Sequence, residues 1–297
     1  MCVMGPKKLC GIITPTITPL KNGRLDSKAI SKLSEFVSKT GASGIFPAGS
    51  TGCFPFLDME QHKSVITEFS EYLDGRLMLL PGVGRNSISE TMEVARHASK
   101  LGADALVIVS PYYIKLDDGS MFRYFDKIAG STGEKIILYN IPQFTGNEIN
   151  VKVALALAKK HSNIIGIKDS SGNFRSIAAF INSMPRGFSV FQGEDDLLLP
   201  SLMLGASGCV CGTTNFSDLA VQVYKKFKEG EINSASQLQS RLDAVMGAVN
   251  SVQFPSGYCF AFSKFVMRGA EVGCVPPIGK PSPKEKASIY SQLKGMF

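Results

Sequence analysis

Residues 135–169 read KIILYNIPQFTGNEINVKVALALAKKHSNIIGIKD. Two short apolar runs, Lys135–Tyr139 and Ile164–Lys168, bracket an amphipathic stretch, Val151–Lys160, whose apolar residues recur at three- and four-residue spacing. The pattern is strand, helix, strand, which makes the two strands parallel neighbours joined by a right-handed crossover. Both runs stop on polar residues, Tyr139-Asn140 and Lys168-Asp169.

The same unit repeats on either side. Further strand runs are expected at Cys10–Thr14, Gly44–Pro47, Leu77–Pro81, Ala105–Val109, Ser189–Gln192 and Gly208–Cys211. Helical periodicity lies between them at Ser27–Lys39, Asp58–Leu73, Ser87–Lys100, Ser120–Gly130, Phe174–Ser183 and Asp195–Leu204, with another over Asp218–Glu229. Asp58 with Gln61 and Ser87 with Glu90 match the capping box, and Gly41, Gly102 and Gly205 stand where helices stop. Eight alternating units are the number that closes a (β/α)8 TIM barrel. An open doubly wound sheet would carry a glycine-rich phosphate loop after its first strand, and Thr14-Pro15-Thr16-Ile17-Thr18-Pro19 is nothing of that kind. From Glu231 only helical patterns continue, near Asn233–Asn250, Tyr258–Arg268 and Pro283–Lys294. The expected organisation is a barrel over 1–229 and a C-terminal helical extension over 230–297 packed on it.

Composition narrows the class. The chain has 297 residues, 44% hydrophobic and 19% charged, enough apolar residues for a large core. No apolar run approaches the ~20 residues of a membrane span. The net charge of +7 comes from scattered pairs such as Lys159-Lys160 and Lys225-Lys226, without an arginine block or an aromatic-interleaved stripe, so no nucleic-acid partner is expected. Seven cysteines, Cys2, Cys10, Cys53, Cys209, Cys211, Cys259 and Cys274, contain no matched C-x-x-C pairs, which argues against a disulfide framework or structural zinc and for a reducing cytoplasm. Lys7 and Lys8 precede a Pro- and Thr-rich segment rather than the apolar stretch of a secretory signal.

In such a barrel the active site lies at the C-terminal ends of the strands. Tyr139 and Lys168 are 29 residues apart (168 − 139), one βα unit, and therefore come from equivalent levels of adjacent strands. Burial disfavours an ammonium ion and makes a strand-end amine a usable nucleophile toward a carbonyl; the other reading of Lys168 is a surface ion pair with Asp169. A neighbouring phenol can relay protons, as Tyr139 would, or be hydrogen-bonded core. Gly49-Ser50-Thr51-Gly52 is either a plain turn or a cradle of hydroxyls and N–H groups for a carboxylate. Of Tyr112 and Tyr113, adjacent after Ser110-Pro111, the two rings must face different ways.

Together, Gly49-Ser50-Thr51-Gly52, Ser110-Pro111-Tyr112-Tyr113, Tyr139-Asn140-Ile141-Pro142 with Thr145-Gly146, and Gly166-Ile167-Lys168-Asp169 resemble the dihydrodipicolinate synthase and N-acetylneuraminate lyase family of pyruvate-dependent class I aldolases, over essentially the whole chain. The resemblance implies a (β/α)8 barrel, a homotetramer built as a dimer of dimers, and no metal or organic cofactor. It implies that Lys168 forms a Schiff base with a 2-keto acid, that Tyr139 is the acid/base relay, and that Ser50 and Thr51 bind the pyruvate carboxylate, Thr51 also joining the relay. Tyr113 matches a tyrosine that crosses from a partner subunit, and Gly193 falls where a backbone group faces substrate.

Departures from the pattern choose among members. Dihydrodipicolinate synthases carry an arginine just before the Thr-Gly, where this chain has Phe144, and a ring makes no bidentate carboxylate contact. Synthases and sialic acid lyases have glutamate after the hydroxyl loop, where this chain has Cys53 followed by Phe54-Pro55. The chain most resembles archaeal-type 2-keto-3-deoxygluconate aldolases, and the expected reaction is reversible cleavage of a 2-keto-3-deoxy sugar acid, free or as its 6-phosphate, to pyruvate and an aldehyde. Dihydrodipicolinate synthase, N-acetylneuraminate lyase and a catalytically silent keto-acid-binding barrel are the alternatives. Lys115 is either a 6-phosphate contact or a surface lysine. His62, His97 and His161 lack metal-binding spacing, Glu194-Asp195-Asp196 reads as acidic residues at a helix start, and Cys209 and Cys211 as buried thiols.

Overall fold

Runs of Ile, Val and Leu buried on both faces form eight parallel strands: β1 (Gly11–Pro15), β2 (Gly44–Phe46), β3 (Met78–Leu79), β4 (Leu106–Val109), β5 (Ile136–Asn140), β6 (Ile164–Asp169), β7 (Ser189–Gln192) and β8 (Gly208–Val210). The computed structural model describes residues 9–296 except Asp74 and Arg76; the N-terminal stretch with Cys2, Lys7 and Lys8 lies outside the described residues. The strands hydrogen-bond in the order β3-β2-β1-β8-β7-β6-β5-β4. The remaining seam, between β3 and β4, is closed by Val83 N–H donating to the Val107 carbonyl and Val107 N–H to the Pro81 carbonyl, each at 2.9 Å. The result is a TIM barrel with C-terminal helices, and barrel closure leaves no unpaired sheet edge.

Helices α1 (Ser27–Thr40), α2 (Met59–Glu71), α3 (Ile88–Lys100), α4 (Asp118–Ala129), α5 (Val151–Lys160), α6 (Phe174–Ser183), α7 (Leu198–Leu204) and α8 (Leu219–Lys228) alternate with the strands. Asp58 closes a full capping box with Gln61 at the start of α2. The expected box at α3 is only half made: Ser87 Oγ accepts from Glu90 N–H, while the Glu90 carboxylate turns to Arg85. Gly41 and Gly205 end α1 and α7 in the left-handed conformation that glycine adopts without a Cβ clash.

Two helical expectations are corrected. Asp195–Leu204 begins as a 3-10 turn over Asp195–Leu197, because the Asp195 carboxylate turns into the protein instead of capping a helix. Tyr258–Arg268 divides into α10 (Ser256–Ala261) and a π-helical turn, Phe262–Val266. The rest of the C-terminal segment is α9 (Ile232–Asn250) and α11 (Pro283–Leu293). Leu242, Val245 and Val249 bury one face of α9, and Gln239 on it accepts from Leu199 N–H and donates to the Asp195 carbonyl. Those bonds tie the first half of α9 to the start of α7 and to the turn before it. No helix among the described residues is long and apolar enough to cross a membrane.

Candidate active site

The end of β6 carries a buried amine. Lys168 is directly opposite Tyr139 on β5 and Phe191 on β7, and side chains alternate along a strand, so Lys168 points into the barrel while Asp169 points out. Lys168 is 5% exposed, with Nζ 4.0 Å from the centroid of the Tyr139 ring and 5.1 Å from that of Phe46. Aromatic faces attract a cation, by about 2 kcal/mol where water is excluded, and they leave the amine without a carboxylate clamp. The ion-pair reading of Lys168 with Asp169 is therefore overturned: one Asp169 oxygen accepts from Asn140 Nδ2 at 2.9 Å and Ser171 N–H at 3.1 Å.

The hydroxyl loop meets this amine from β2. Ser50 Oγ lies 3.2 Å from the Tyr139 hydroxyl, and Thr51 is buried beside it. Gly49 is required by packing, since a Cβ there would fall 2.8 Å from the Phe46 ring. Ala48 and Cys53 flank the loop at φ 55° and 57°, a left-handed conformation that non-glycine residues hold at a strain of about 1–3 kcal/mol each. Thr18 Oγ1 donates to the Gly52 carbonyl at 2.8 Å and fixes the far end of the loop to the segment after β1.

Opposite, Gly193 follows β7, and its N–H donates to the Asp169 carbonyl at 2.8 Å. A Cβ on Gly193 would overlap Ser170 Oγ at 1.8 Å and crowd Lys168 Cε at 3.0 Å, so the absence of a side chain makes room for the lysine. Asp195 is wholly buried and accepts from Gly212 N–H, Thr213 N–H and Thr213 Oγ1, tying the ends of β7 and β8 together. Burial raises its carboxyl above the usual range against those donors. Glu194 is pushed up to about 7, by burial first and then by Asp195, with Lys168 opposing. Glu194 and Asp195 thus line the site, while Asp196 stays exposed in the first turn of the 3-10 helix, as a helix-start residue would.

These groups surround a cavity of about 230 Å³. It lies below the ~300–1,000 Å³ of drug-sized pockets and suits a small metabolite. Its outer wall comes from a short helix, Pro142–Thr145, and from the C-terminal segment: Gln143 Nε2 donates to the Ser170 carbonyl at 2.6 Å, Phe144 packs on Phe254 and Phe254 on Tyr258. Met246 and Asn250 of α9 complete the mouth.

The structure brings together Lys168, Tyr139, Ser50, Thr51 and Gly193 around this cavity. It does not bring Tyr113, which is 92% exposed at φ 79° and outside the lining, nor Lys115, which is also exposed. Tyr112 packs edge-on against Phe54 instead. Sequence reasoning missed Ser170, although two residues beyond Lys168 the strand period puts it on the same face. It also missed Glu194, Asn250 and Tyr258, and the last two lie on helices with no local signal of facing the barrel mouth. His62 is buried, its Nε2–H donating to the Gly82 carbonyl at 2.7 Å, and its ring is pushed down to about 4 by burial. His97 bonds Thr67 and His161 bonds Asp126, so the histidines serve packing.

A buried lysine ringed by hydroxyls at the strand ends of an α/β barrel is the layout of a carbonyl-directed lyase. The chain matches the dihydrodipicolinate synthetase family over residues 8–295 and belongs to it. It is similar to the 2-dehydro-3-deoxy-D-gluconate/2-dehydro-3-deoxy-phosphogluconate aldolase of Picrophilus torridus, 36% identical over 84% of this chain and 92% of that protein. The solved structure of the 2-keto 3-deoxygluconate aldolase from the same organism superimposes with a TM-score of 0.88, covering 92% of this chain and 98% of that one. A probable 2-dehydro-3-deoxy-D-pentonate aldolase of Escherichia coli is 33% identical, covering 97% of both chains, and a 4-hydroxy-tetrahydrodipicolinate synthase of Methanothrix thermoacetophila is 37% identical, covering 80% of this chain and 81% of that one. The protein is a pyruvate-dependent lyase, a class I aldolase of this family.

Proposed function

We propose that the protein reversibly cleaves a 2-keto-3-deoxy sugar acid, 2-keto-3-deoxygluconate first among them, to pyruvate and glyceraldehyde through a Schiff base on Lys168. The observation that carries this is the buried Lys168 amine beside a Tyr139 hydroxyl that is itself hydrogen-bonded to Ser50 at 3.2 Å. The Lys168 amine adds to the C2 carbonyl, the C2 hydroxyl of the adduct takes a proton through Tyr139 and leaves as water, and the nitrogen keeps its proton as a protonated imine; the later hydrolysis returns the proton taken up. The C3–C4 bond then breaks, and its electron pair moves into the imine as an enamine. The C4 hydroxyl proton is taken up at the Tyr139 oxygen, whose own proton shifts toward Ser50, and the aldehyde departs. The chain returns a proton to C3, and water adds at C2 to release pyruvate and the free amine.

Ser50 and Thr51 hold the keto-acid carboxylate, and the Gly193 carbonyl faces the bound substrate. Tyr113, outside its own cavity, completes the relay of a second subunit in a homotetramer. No group here needs a metal or organic cofactor. All six described cysteines are free, in keeping with a cytoplasmic enzyme.

Identity to aldolases and to a synthase is comparable, so the choice rests on the site: the wall where a second carboxylate would be gripped carries Phe144 against Phe254, with no arginine among the described lining residues. The test is incubation with pyruvate, borohydride reduction and peptide mass analysis, followed by a cleavage panel of keto-deoxy sugar acids, N-acetylneuraminate, and pyruvate with aspartate semialdehyde. An adduct on Lys168 and cleavage of a keto-deoxy sugar acid are expected. An unmodified Lys168 would sink the mechanism, and condensation with aspartate semialdehyde alone would turn the reading to a synthase.

A further inference from the structure

Three buried thiols, Cys53, Cys259 and Cys274, come from distant parts of the chain and meet in the core. Cys53 ends the hydroxyl loop, where its N–H donates to the Ser50 carbonyl at 2.9 Å. Cys259 lies on α10 directly after Tyr258, which lines the cavity. Cys274 follows Gly273, whose N–H donates to the Leu20 carbonyl at 2.8 Å and whose carbonyl accepts from Leu20 N–H at 3.1 Å. The lyase chemistry uses none of the three sulfurs.

Ser263 sets Cys274 against Cys259. Its hydroxyl donates to the Cys259 carbonyl at 2.8 Å and accepts from Val272 N–H at 3.0 Å, so one side chain clamps α10 to the segment that leads into Cys274. The Cys259 and Cys274 thiols are hydrogen-bonded to each other. One residue on, Val275 N–H donates to the Cys53 sulfur. The stretch from Val272 to Val275 therefore joins α10 to the hydroxyl loop.

The two bonded thiols differ in reactivity. The hydrogen bond from Cys259, and then the charge of Lys280, hold Cys274 below the ordinary thiol range against its burial. The same bond and burial push Cys259 well above that range. Thiolate character and access decide which sulfur a peroxide oxidises first, and Cys274 is 8% exposed against 3% for Cys259. Cys53 is pushed up to about 12, by burial first and then by Cys274, and stays a thiol.

We propose that Cys274 and Cys259 form a site of reversible oxidation, closed by hydrogen peroxide into a disulfide that slows the lyase. The Cys274 sulfur attacks one peroxide oxygen: the S–O bond forms, the O–O bond breaks, and the departing hydroxide takes the proton of the Cys274 thiol to leave as water. The Cys259 sulfur then attacks the sulfenic sulfur, the S–S bond forms, and the sulfenic hydroxyl leaves with the Cys259 proton as a second water. Two electrons pass from the two sulfurs to the peroxide. Disulfide sulfurs stand ~2.05 Å apart, well inside hydrogen-bonding separation, so closure draws Cys259 toward Cys274. Tyr258 moves with Cys259, and its ring lines the cavity while packing on Phe254 and Phe216.

The experiment treats the reduced protein with hydrogen peroxide, maps its peptides without reductant, and measures the rate of borohydride-trapped pyruvate adduct formation on the whole protein. A Cys259–Cys274 cross-link is expected, with trapping slowed about tenfold and restored by dithiothreitol. Cys274→Ser should keep its trapping rate through the same treatment, and Cys53→Ser should still cross-link and slow. The peptide map of the wild type decides the pairing even if a variant fails to fold. The inference is overturned by the absence of a Cys259–Cys274 link at a dose that oxidises the exposed Cys10, by a Cys53–Cys274 link in its place, or by cross-linked protein that traps pyruvate at the reduced rate. Equal slowing of Cys274→Ser and wild type would place the oxidative damage elsewhere and overturn it too.

Discussion

Replacing Gly193 by alanine adds one methyl group at a point where Lys168 and Ser170 already fill the space. The new Cβ would stand 1.8 Å from Ser170 Oγ, 2.9 Å from Ser170 Cβ and 3.0 Å from Lys168 Cε. Turning the serine about χ1 removes the first contact and leaves the other two. Ordinary contact begins at 3.4 Å, so the shortfalls are 0.5 Å at Ser170 (3.4 − 2.9) and 0.4 Å at Lys168 (3.4 − 3.0). The end of β7 cannot retreat freely, because Gly193 N–H is bonded to the Asp169 carbonyl and Asp195 holds the backbone after β8. The strain therefore displaces the amine by several tenths of an ångström. Overpacking of this kind costs about 1–3 kcal/mol, or about 2–5 °C in Tm for a chain of this size. A 1 Å misplacement can cost about a hundredfold in rate, so a loss of about tenfold in pyruvate trapping is expected. Thermal unfolding and the rate of borohydride-trapped adduct formation measure the two effects. Gly247→Ala on the exposed face of α9, where a Cβ meets nothing, is the control and should be neutral or slightly stabilising. A Gly193→Ala protein with wild-type Tm and trapping rate would refute the reasoning.

Tyr139→Phe removes the hydroxyl bonded to Ser50 but keeps the ring beside Lys168. Adduct formation with pyruvate should survive while kcat for cleavage falls about 10²–10⁴-fold, and equal loss of both would move the relay elsewhere. His62 is neutral in the fold and held at about 4, below its ordinary 6.5. The unfolded chain takes up the proton first, so stability is lost as pH falls from about 6.5 to about 4, up to roughly 3 kcal/mol. Denaturant midpoints at pH 7 and pH 4.5 should show His62→Gln losing less stability over that interval than the wild type; parallel losses would contradict it. Asn215 bonds Ile17 N–H and the Pro15 and Gly212 carbonyls, so Asn215→Ala should lower stability by about 2–4 kcal/mol, and a drop under half a kcal/mol would show those bonds to be replaceable.

How far the site could be read in advance depended on the range of the forces that build it. Lys168 and Tyr139 were legible as neighbours because parallel strands one βα unit apart bring residues at the same level side by side, and the register pairs them directly. Ser170 was open to the same period-two reasoning. Glu194 was not, because acidic residues before a helix have a local explanation, and only the buried position of Asp195 shows that the chain turns inward there. The Ser87 and Glu90 box was half right for a related reason: Glu90 found a cation in Arg85, supplied by the loop and not by the helix.

The sequence by itself determined the order of strands and helices, the barrel and the placing of Lys168 and Tyr139 side by side at strand ends. Those follow from hydrophobic periodicity and from alternation along a strand, which act over a few residues. The tertiary structure alone decided that Asp169 leaves Lys168 free, that Ser50 is the hydroxyl touching Tyr139, and that α9 and α10 bring Asn250 and Tyr258 over the mouth. It also decided which charged side chains line the cavity. These depend on groups far apart in the chain meeting in a shared cavity, where packing and excluded water, and not local propensity, determine which contacts form.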